Sequence, residues 1–375
     1  NILAFKKFNL FKKIKNSKIY SLSRTHFNLE NNGLNSDFFY ILNSQLKNKD
    51  IITDFKNLKQ KKILYDNKFT ILNNQLNISR DLFFYKYKKT IDVNKIKDFF
   101  YLEKKFLKKE CNEFDILKKK FYFFSKSNNI KIYLTWAKFF KSHFAEYDSM
   151  DKINGIYAIW QYAFEGTLNC NTQIHSDIYF SNVPKENFFN NNSKINYFVN
   201  TGFIMDYKFN LLKTRAKKLR NLLKDNGAKN IIAVFDENSN QYSRWHTGHL
   251  LQADNYEYIL NELLVNKNLG IIFKPKNPKT LRQRIGKINN LLIQAEKTGR
   301  CYVYDDYTDD LTSSPPILAG LSADVCVHSH LSAGTAAVEC ALANIPTLLI
   351  DREGSPKNLL YEIKDKNIIF KNWND

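Results

Sequence analysis

Short apolar runs alternate with helix-like segments through the second half of the chain. The runs span about five residues, and apolar residues between them recur every three or four positions. The predicted strands lie within residues 229–238, 269–276, 300–306, 323–330 and 346–351. The predicted helices are 208–226, a helix that Asp254 caps, 280–297, 314–321 and 334–342. This alternation predicts βαβ units and a parallel sheet covered by helices on both faces.

The first half of the chain has a different pattern. Residues 98–124 place aromatic and aliphatic side chains at helical spacing among lysines, which predicts an amphipathic helix. Three segments have the pattern of strands, namely 129–136, 176–182 and 195–202, whereas 153–164 is apolar at helical spacing. We predict an amino-terminal domain over 1–205, irregular, helical and Lys/Phe-rich over 1–128 and α/β over 129–205. A carboxy-terminal α/β domain follows over 206–375.

Charge divides the chain in the same way. The chain has 57 Lys and Arg against 37 Asp and Glu, a net charge of +20. Residues 1–150 hold 31 basic and 14 acidic residues (31 − 14 = +17), and 151–375 hold 26 and 23 (26 − 23 = +3). Such basicity suits an anionic partner, either nucleic acid or a membrane surface. We do not expect nucleic acid, because the lysines interleave with aromatic residues at helical spacing and no binding motif is recognisable.

The five cysteines predict a reduced, cytoplasmic chain. They are widely spaced and form neither a CxxC pair nor a His-spaced zinc pattern. Cys326 and Cys340 lie in apolar runs, so we predict that they belong to the core. No stretch reaches the ~18 uninterrupted apolar residues of a membrane span, and residues 1–20 lack the apolar region and cleavage site of a signal peptide.

Polar side chains follow four of the predicted strands, where ligands of an open parallel sheet bind. They are Asp236, Glu237, Asn238, Arg244, His246 and His249 after the first strand, Lys274 and Lys276 after the second, Asp305 and Asp306 after the third, and His328, Ser329 and His330 after the fourth. Loops between strands and helices are commonly polar, which explains any one group. All four groups together favour a binding site at the edge of the sheet where these strands end.

The segment 328–351 is the most informative part of the sequence. A strand runs through a Ser-Ala-Gly-Thr turn into a helix of small residues, whose free N–H groups and positive end suit a diphosphate. Gly334 lets a ligand approach the backbone, and Ser332 or Thr335 can add a hydroxyl donor. Glu339, one turn beyond Thr335, either accepts hydrogen bonds from a ribose diol or is a surface acid of the helix.

This segment resembles the donor-binding half of GT-B glycosyltransferases in the order of its parts: a strand, a [Ser/Gly]-x-Gly-Thr turn, a helix with a Glu, an Asn-x-Pro sequence and a second strand. The resemblance covers about residues 195–375 and is strongest to the bacterial enzymes that build capsule and lipopolysaccharide. Lys274-Pro275-Lys276 stands where many of those enzymes carry a His-Pro or Lys-Pro pair. The resemblance implies two Rossmann-like domains facing a cleft, with the donor in the carboxy-terminal domain and the acceptor on the amino-terminal side.

The resemblance also implies roles for individual residues. Ser332, Gly334 and Thr335 would lie near the phosphates of a nucleotide sugar, and Glu339 near its ribose. Lys274 and Lys276 would balance the charge of the leaving group, with no metal and no cofactor, and Arg244 would contact a diphosphate or carboxylate. The acceptor would be a growing glycan or a lipid-linked molecule, and the basic amino-terminal part would contact anionic lipid at the inner face of the plasma membrane.

The catalytic base of an inverting enzyme would come from the amino-terminal domain. The candidates are Glu146, Asp148, Glu165, His175 and Asp177. Asp236 and Glu237 would face the sugar or the acceptor. Two other enzyme classes on similar architecture remain open: a nucleotide-sugar epimerase of the UDP-N-acetylglucosamine 2-epimerase type and a polyol-phosphate transferase.

Overall fold

A computed structural model of the chain describes residues 18–21, 38–41, 44–55, 57–71, 92–96, 100–138, 141–164, 173–182, 192–241, 248–305, 314–331, 334–354, 358–363 and 367–375. Contacts divide these residues into two units. The first unit comprises the described parts of 18–21, 40–162 and 173–202, and the second comprises 38–39, 163–164 and the described parts of 203–375.

The first unit is built on a parallel sheet of seven strands. They are β1 (Lys18–Ser21), β2 (Ile51–Thr53), β3 (Thr70–Ile71), β4 (Ile130–Thr135), β5 (Ile156–Trp160), β6 (His175–Ser181) and β7 (Lys194–Asn200). Their order across the sheet is β3-β2-β1-β4-β5-β6-β7, with parallel pairing between neighbours. Three of these strands come from 1–128, a part of the chain for which the sequence predicted only irregular and helical structure.

Helices of the first unit are α1 (Leu58–Asp66), α2 (Tyr101–Ser127) and α3 (Lys141–Lys152). Helix α2 confirms the amphipathic helix predicted from 98–124. An aromatic core lies against the sheet and includes Tyr20, Tyr133 and Tyr157. Tyr20 packs edge-on against Tyr133 at 4.9 Å between ring centroids, so β1 is fixed to β4 by its side chains as well as by its backbone.

The second unit is built on a parallel sheet of six strands with the order β10-β9-β8-β11-β12-β13. The strands are β8 (Asn230–Phe235), β9 (Leu269–Lys274), β10 (Cys301–Val303), β11 (Val325–His328), β12 (Thr347–Ile350) and β13 (Ile369–Phe370). The helices are α4 (Lys208–Asp225), α5 (His249–Val265), α6 (Pro278–Arg284), α7 (Asn289–Lys297), α8 (Pro316–Ser322) and α9 (Thr335–Leu342).

Helices cover both faces of this second sheet. Ala233 and Phe235 of β8 pack into one buried cluster with residues of α4, α8 and α9, whereas Val234 packs into another with α5, α6 and α7. Successive side chains of a strand point to opposite faces, so β8 contributes to both clusters. Cys326 and Cys340 are fully buried in the first cluster, which confirms their predicted place in the core. The predicted fold class, two α/β domains with parallel sheets, is confirmed.

Three sequence predictions about elements were wrong. Residues 153–164 hold the strand β5, not a helix; every residue of this strand is buried between β4 and β6, and a strand buried on both faces shows no alternation. Asp254 does not cap a helix, because α5 begins at His249 after Gly248. The predicted helix 280–297 is two helices, broken at Gly286, whose φ of +55° suits a residue without a side chain.

Within the described residues, no helix combines the length and the apolar character that a membrane crossing requires.

Candidate functional site

The six-stranded sheet reverses its direction of growth between β8 and β11. From β8 the chain adds β9 and β10 on one side, then returns to place β11 on the other side of β8. Ligands of open α/β sheets bind outside the carboxyl ends of the strands at such a reversal. Phe235 and His328, the last residues of β8 and β11, pair in register, and both the N–H and the hydroxyl of Ser329 donate to the Phe235 carbonyl at 3.0 Å. The candidate site is therefore the edge that begins at Asp236 and Ser329.

Asp236 is buried at this edge and accepts hydrogen bonds from several donors. Its Oδ1 accepts from the backbone N–H of Lys276 at 2.7 Å, and its Oδ2 accepts from the Tyr256 hydroxyl at 3.0 Å and from the Gln252 amide. Burial raises the pKa of Asp236, and the hydrogen bond from Lys276 and the positive charge of Arg284 oppose this shift. These bonds hold the loop after β8 against the loop after β9.

Arg284 forms a second buried group beside Asp236. Its guanidinium donates to the Ser239 hydroxyl at 3.1 Å, to the Gln252 side-chain oxygen at 2.5 Å and to the Asn277 carbonyl at 2.9 Å. Ser239 lies 2.7 Å from Nδ1 of His249 at the start of α5. This network links the loops after β8 and β9 to two helices, so the edge is rigidly supported.

Two predicted lysines follow β9 and differ in environment. Lys274 is buried and its Nζ donates to the Pro275 carbonyl at 3.3 Å. Lys276 is exposed, and its Nζ pairs with the carboxylate of Glu237. The loops after β8 and β9 therefore both contribute to this pair, which joins two residues that the sequence singled out.

Two histidines, His328 at the end of β11 and His330 after it, are buried at the same edge. The backbone N–H of His330 donates to Nδ1 of His328 at 3.2 Å, and burial lowers the pKa of His328 to about 3. His330 lies 3.1 Å, through Nδ1, from a carboxylate oxygen of Glu353, and both side chains are fully buried. Nε2 of His330 has no hydrogen-bond partner among the described residues. The electrostatic effect of His330 also lowers the pKa of Asp236, so this pair belongs to the same cluster.

Gly334 and Thr335 stand at the start of α9, as the sequence predicted for the turn. Gly334 has an ordinary φ of −61°, and a Cβ added to it would meet its nearest neighbours at 3.6 Å, an ordinary contact distance. The fold itself therefore does not require glycine at this position. The hydroxyl of Thr335 accepts from the backbone N–H of Phe164 at 3.0 Å, which leaves its own proton available to a ligand.

Glu339 lies inside the fold, so the reading of a surface acid is wrong. Its Oε1 is 3.1 Å from Nζ of Lys208 in α4, and both side chains are buried. Oε1 faces the Lys208 ammonium and makes no further hydrogen bond to the described residues. A buried carboxylate oxygen beside the α9 turn thus retains the capacity to accept a hydroxyl proton.

His175 and Asp177 lie in the first unit, at the start of β6. The Asp177 carboxylate accepts from the Tyr157 backbone N–H and from the Asn196 amide, both at 2.9 Å, so its two oxygens join β5, β6 and β7. The backbone N–H of His175 donates to Nε2 of His143 at 3.0 Å, and burial lowers the pKa of His175. Both residues thus have structural contacts at the amino ends of their strands, away from the carboxyl edge of that sheet.

The other acids named from the first unit belong to helix α3. Glu146 is buried and accepts from the Tyr157 hydroxyl at 2.7 Å, and Asp148 pairs with Lys118 of α2 at 3.2 Å. His143 completes the first network: its Nε2 accepts from His175, so the ring proton is on Nδ1, 3.2 Å from the Tyr157 hydroxyl. Burial lowers the pKa of His143 to about 3, and this network ties α3 to the sheet.

Two of the predicted site residues, Arg244 and Ser332, lie outside the described residues. Glu165, His246 and Asp306 also lie outside them. The sequence did not point to Gln252, Tyr256, Arg284 or Glu353, although all four hold the edge together. Their partners are 16 to 45 residues away along the chain, so no local spacing marks them. Among the described residues, no group of three or more His, Cys, Asp or Glu side chains is placed to hold a metal ion.

No known protein family and no curated protein matches this sequence. Solved structures resemble the chain in fold at low identity. HepE of Anabaena, in complex with UDP and glucose, is 9% identical with a TM-score of 0.48, over 94% of this chain and 85% of its own. The UDP-GlcNAc 2-epimerase of Methanocaldococcus jannaschii is 12% identical with a TM-score of 0.47, over 94% and 88%. The amino-terminal domain of trehalose-6-phosphate phosphatase from Candida albicans is 9% identical with a TM-score of 0.44, over 94% and 85%.

Proposed function

We propose that this chain is an enzyme acting on a nucleotide-activated sugar, and specifically a glycosyltransferase that moves the sugar to a glycan or lipid-linked acceptor. The observation that carries the proposal is Gly334. It opens α9 beside the strand reversal, and neither its backbone angles nor its neighbours call for glycine. A ligand that needs close approach to the backbone N–H groups at this helix start explains the residue, and a diphosphate is such a ligand.

The surrounding side chains suit a nucleotide diphosphate. Within the described part of the chain nothing accepts the Thr335 hydroxyl proton, and Lys276 can exchange Glu237 for phosphate oxygens because its side chain is exposed. Oε1 of Glu339 has a lone pair beyond the one that faces Lys208, and this second lone pair suits a ribose hydroxyl. In this proposal Arg244 and Ser332 add contacts to the phosphates, Lys274 balances leaving-group charge, and Asp236 positions the two loops. Glu237, once released from Lys276, faces the sugar.

A thermal-shift screen with CMP, UDP, GDP and CDP tests this proposal. The nucleotide that belongs to the donor raises the unfolding temperature in proportion to the logarithm of its concentration. If none of the four stabilises the chain, the proposed function is wrong. Incubating the chain with the corresponding nucleotide sugar alone then separates the alternatives: an epimerase converts the donor without an acceptor, whereas a glycosyltransferase requires one. If the donor is a nucleoside diphosphate derivative, release of the nucleoside monophosphate on transfer indicates a polyol-phosphate transferase.

We further propose that the enzyme works at the inner face of the plasma membrane and contacts anionic lipid through the start of α2. Four apolar residues are exposed there: Phe100, Tyr101, Leu102 and Phe106 are 81%, 78%, 74% and 62% accessible. Three exposed lysines lie between or just after these residues, namely Lys105, Lys108 and Lys109. Glu103 accepts from the Phe100 backbone N–H at 2.8 Å and so caps the helix. Apolar side chains among lysines suit the boundary between anionic head groups and acyl chains.

A further inference from the structure

The carboxyl edge of the seven-stranded sheet carries a second cluster of polar and aromatic side chains. Trp136 follows β4, Gln161 and Tyr162 follow β5, and Ser181 and Asn182 end and follow β6. These three strands are neighbours, with Thr135 opposite Ile159 and Trp160 opposite Phe180. Adjacent strands lie about 4.8 Å apart, so the cluster spans about 10 Å. We refer to these five residues as the Trp136 edge.

The aromatic part of the Trp136 edge is a stacked pair. The rings of Trp136 and Tyr162 are 4.6 Å apart between centroids with an angle of 28° between their planes. Trp160 packs edge-on against Tyr162 at 5.7 Å and supports it from within the sheet. Trp136 and Tyr162 are both half-buried, so each ring is held by the protein yet reaches the surface.

The amide part of the Trp136 edge is fixed by its own hydrogen bonds. The side-chain oxygen of Gln161 accepts from the Ser181 hydroxyl at 3.1 Å and from the Asn182 backbone N–H at 2.9 Å. The Asn182 side-chain N–H donates to the Gln161 carbonyl at 3.4 Å. The Asn182 side chain is thereby oriented, and its oxygen Oδ1 is left as an acceptor.

Two buried polar atoms of this edge lack partners among the described residues. One is Nε1 of Trp136, a donor, and the other is Oδ1 of Asn182, an acceptor. A buried polar atom without a hydrogen bond costs about 1–3 kcal/mol, and such atoms are rare in folded proteins. Neither atom is accounted for by the packing of the sheet, because the bonds that hold Gln161, Ser181 and Asn182 in place leave both unused. They lie just beyond the carboxyl ends of β4 and β6, the two strands that flank β5, and two unpartnered polar atoms at one edge of a sheet indicate a ligand.

We propose that the Trp136 edge binds an uncharged saccharide. A hydroxyl group both donates and accepts, so sugar hydroxyls can satisfy the indole N–H and the amide oxygen, and the C–H face of a sugar ring packs on an aromatic ring. The described residues that end and follow the three strands, 135–138, 161–164 and 181–182, contain no carboxylate. Their one cation, Lys138, is buried and donates to the Tyr179 hydroxyl at 2.6 Å, so an uncharged ligand fits best.

This inference does not depend on the proposed function. A transferase, an epimerase and a non-catalytic binding protein can all hold a saccharide at the Trp136 edge. If the proposed function holds as well, a saccharide is the class of acceptor that the transferase uses. The two proposals use different residues in different units, so each can fail alone.

Saturation-transfer difference NMR on the full chain tests the saccharide site. The probes are the methyl glycosides of glucose, galactose and N-acetylglucosamine, each measured without nucleotide. We expect transfer to the ring C–H protons of at least one probe. Trp136→Phe keeps an aromatic ring and removes the N–H donor, so we expect a several-fold weaker affinity, and we expect the same of Asn182→Leu, which removes the acceptor. Thermal unfolding of each variant verifies that it folds.

A matched replacement in the second unit is the control. Trp373 stacks on Tyr258 and its Nε1 already donates to Asn255 at 2.9 Å, so Trp373→Phe should leave saccharide binding unchanged. The inference is overturned if no probe shows transfer to the folded wild-type chain. It is also overturned if folded Trp136→Phe and Asn182→Leu bind as tightly as wild type, or if Gly334→Ala alone abolishes binding, since the saccharide then sits in the second unit.

Discussion

Nζ of Lys208 lies 3.1 Å from Oε1 of Glu339, and this buried ion pair joins α4 to α9 across the second unit. Removing one partner strands the other charge away from water, which typically costs about 3–5 kcal/mol. We therefore expect Lys208→Met to lower the free energy of unfolding by an amount in this range. The double variant Lys208→Met/Glu339→Leu should recover much of the loss because no unpaired charge remains. Urea unfolding measures the coupling free energy between Lys208 and Glu339 when the wild type, both single variants and the double variant are compared.

The same pair bears on ligand binding. Glu339→Gln keeps the shape of the side chain and an acceptor oxygen but removes its charge. If Glu339 accepts a ribose hydroxyl, the folded variant should bind the ribonucleotide more weakly than wild type while its affinity for the matching 2′,3′-dideoxynucleotide changes little. Equal losses for both nucleotides would show that Glu339 acts only through the structure of α9.

Gly334→Ala separates folding from ligand binding. A Cβ fits at this position, so we expect the free energy of unfolding without ligand to change by less than about 1 kcal/mol. A methyl group between the α9 N–H groups and a diphosphate should weaken nucleotide affinity by roughly tenfold or more, which is about 1.4 kcal/mol. Isothermal titration with the nucleotide found in the thermal-shift screen measures this difference.

Gly248→Ala is the matched comparison for that experiment. Gly248 precedes α5, has a φ of −84°, and has nothing within 4 Å of an added Cβ. It thus tests the other helix that begins near the strand reversal. Loss of affinity in Gly248→Ala with none in Gly334→Ala would move the phosphate site from α9 to α5.

The second unit was largely predictable from sequence because its strands are short apolar runs bounded by polar residues and glycines. Strands β8, β9, β11 and β12 each lie inside a predicted run. The strand order was not predictable, since it depends on pairings such as Phe235 with His328, 93 positions along (328 − 235 = 93). Strands β1 to β3 have two to four residues each, too few for a period-two pattern to appear among lysines and asparagines.

The candidate site was predictable only in part, and for a physical reason. Residues next to strand ends, such as Asp236, Lys276 and His330, can be found by locating the strands. The partners that orient them cannot, because Arg284 and Glu353 reach the edge from elements elsewhere in the chain. The sequence also left open whether Glu339 is exposed, because only the position of Lys208 in space decides it.

Acid should destabilise the fold through two buried histidines. Burial lowers the pKa of His143 and of His328 from 6.5 to about 3. Above pH 6.5 both are neutral in the folded and unfolded chain, so stability does not depend on them. Between pH 6.5 and about 3 the unfolded chain takes up protons that the folded chain does not. Each histidine then lowers the free energy of unfolding by roughly 1 kcal/mol per pH unit as the pH falls.

Variants at these histidines show whether burial is the cause. Urea unfolding between pH 7 and pH 5 should show a proton uptake on unfolding that is smaller in His328→Asn, by a difference that grows to about one proton near pH 5. His249→Asn, at the start of α5, controls for removal of an imidazole near the same edge. If His328→Asn leaves the pH dependence of unfolding unchanged, His328 is not held neutral in the fold.

The exposed start of α2 provides the test of membrane contact. We expect the chain to sediment with vesicles of phosphatidylcholine and phosphatidylglycerol and not with phosphatidylcholine alone, because lysines near an anionic surface each contribute about 1 kcal/mol. Lys105→Gln/Lys109→Gln should weaken this binding by at least tenfold, and Phe106→Ser should weaken it without changing its salt dependence. Lys217→Gln/Lys218→Gln on α4 removes the same charge from another exposed helix and is the matched control. Equal losses of vesicle binding from the α2 and α4 variants would show that net charge, and not the start of α2, attracts the chain to lipid. Binding of a labelled oligonucleotide in place of vesicles would assign the lysines of α2 to nucleic acid.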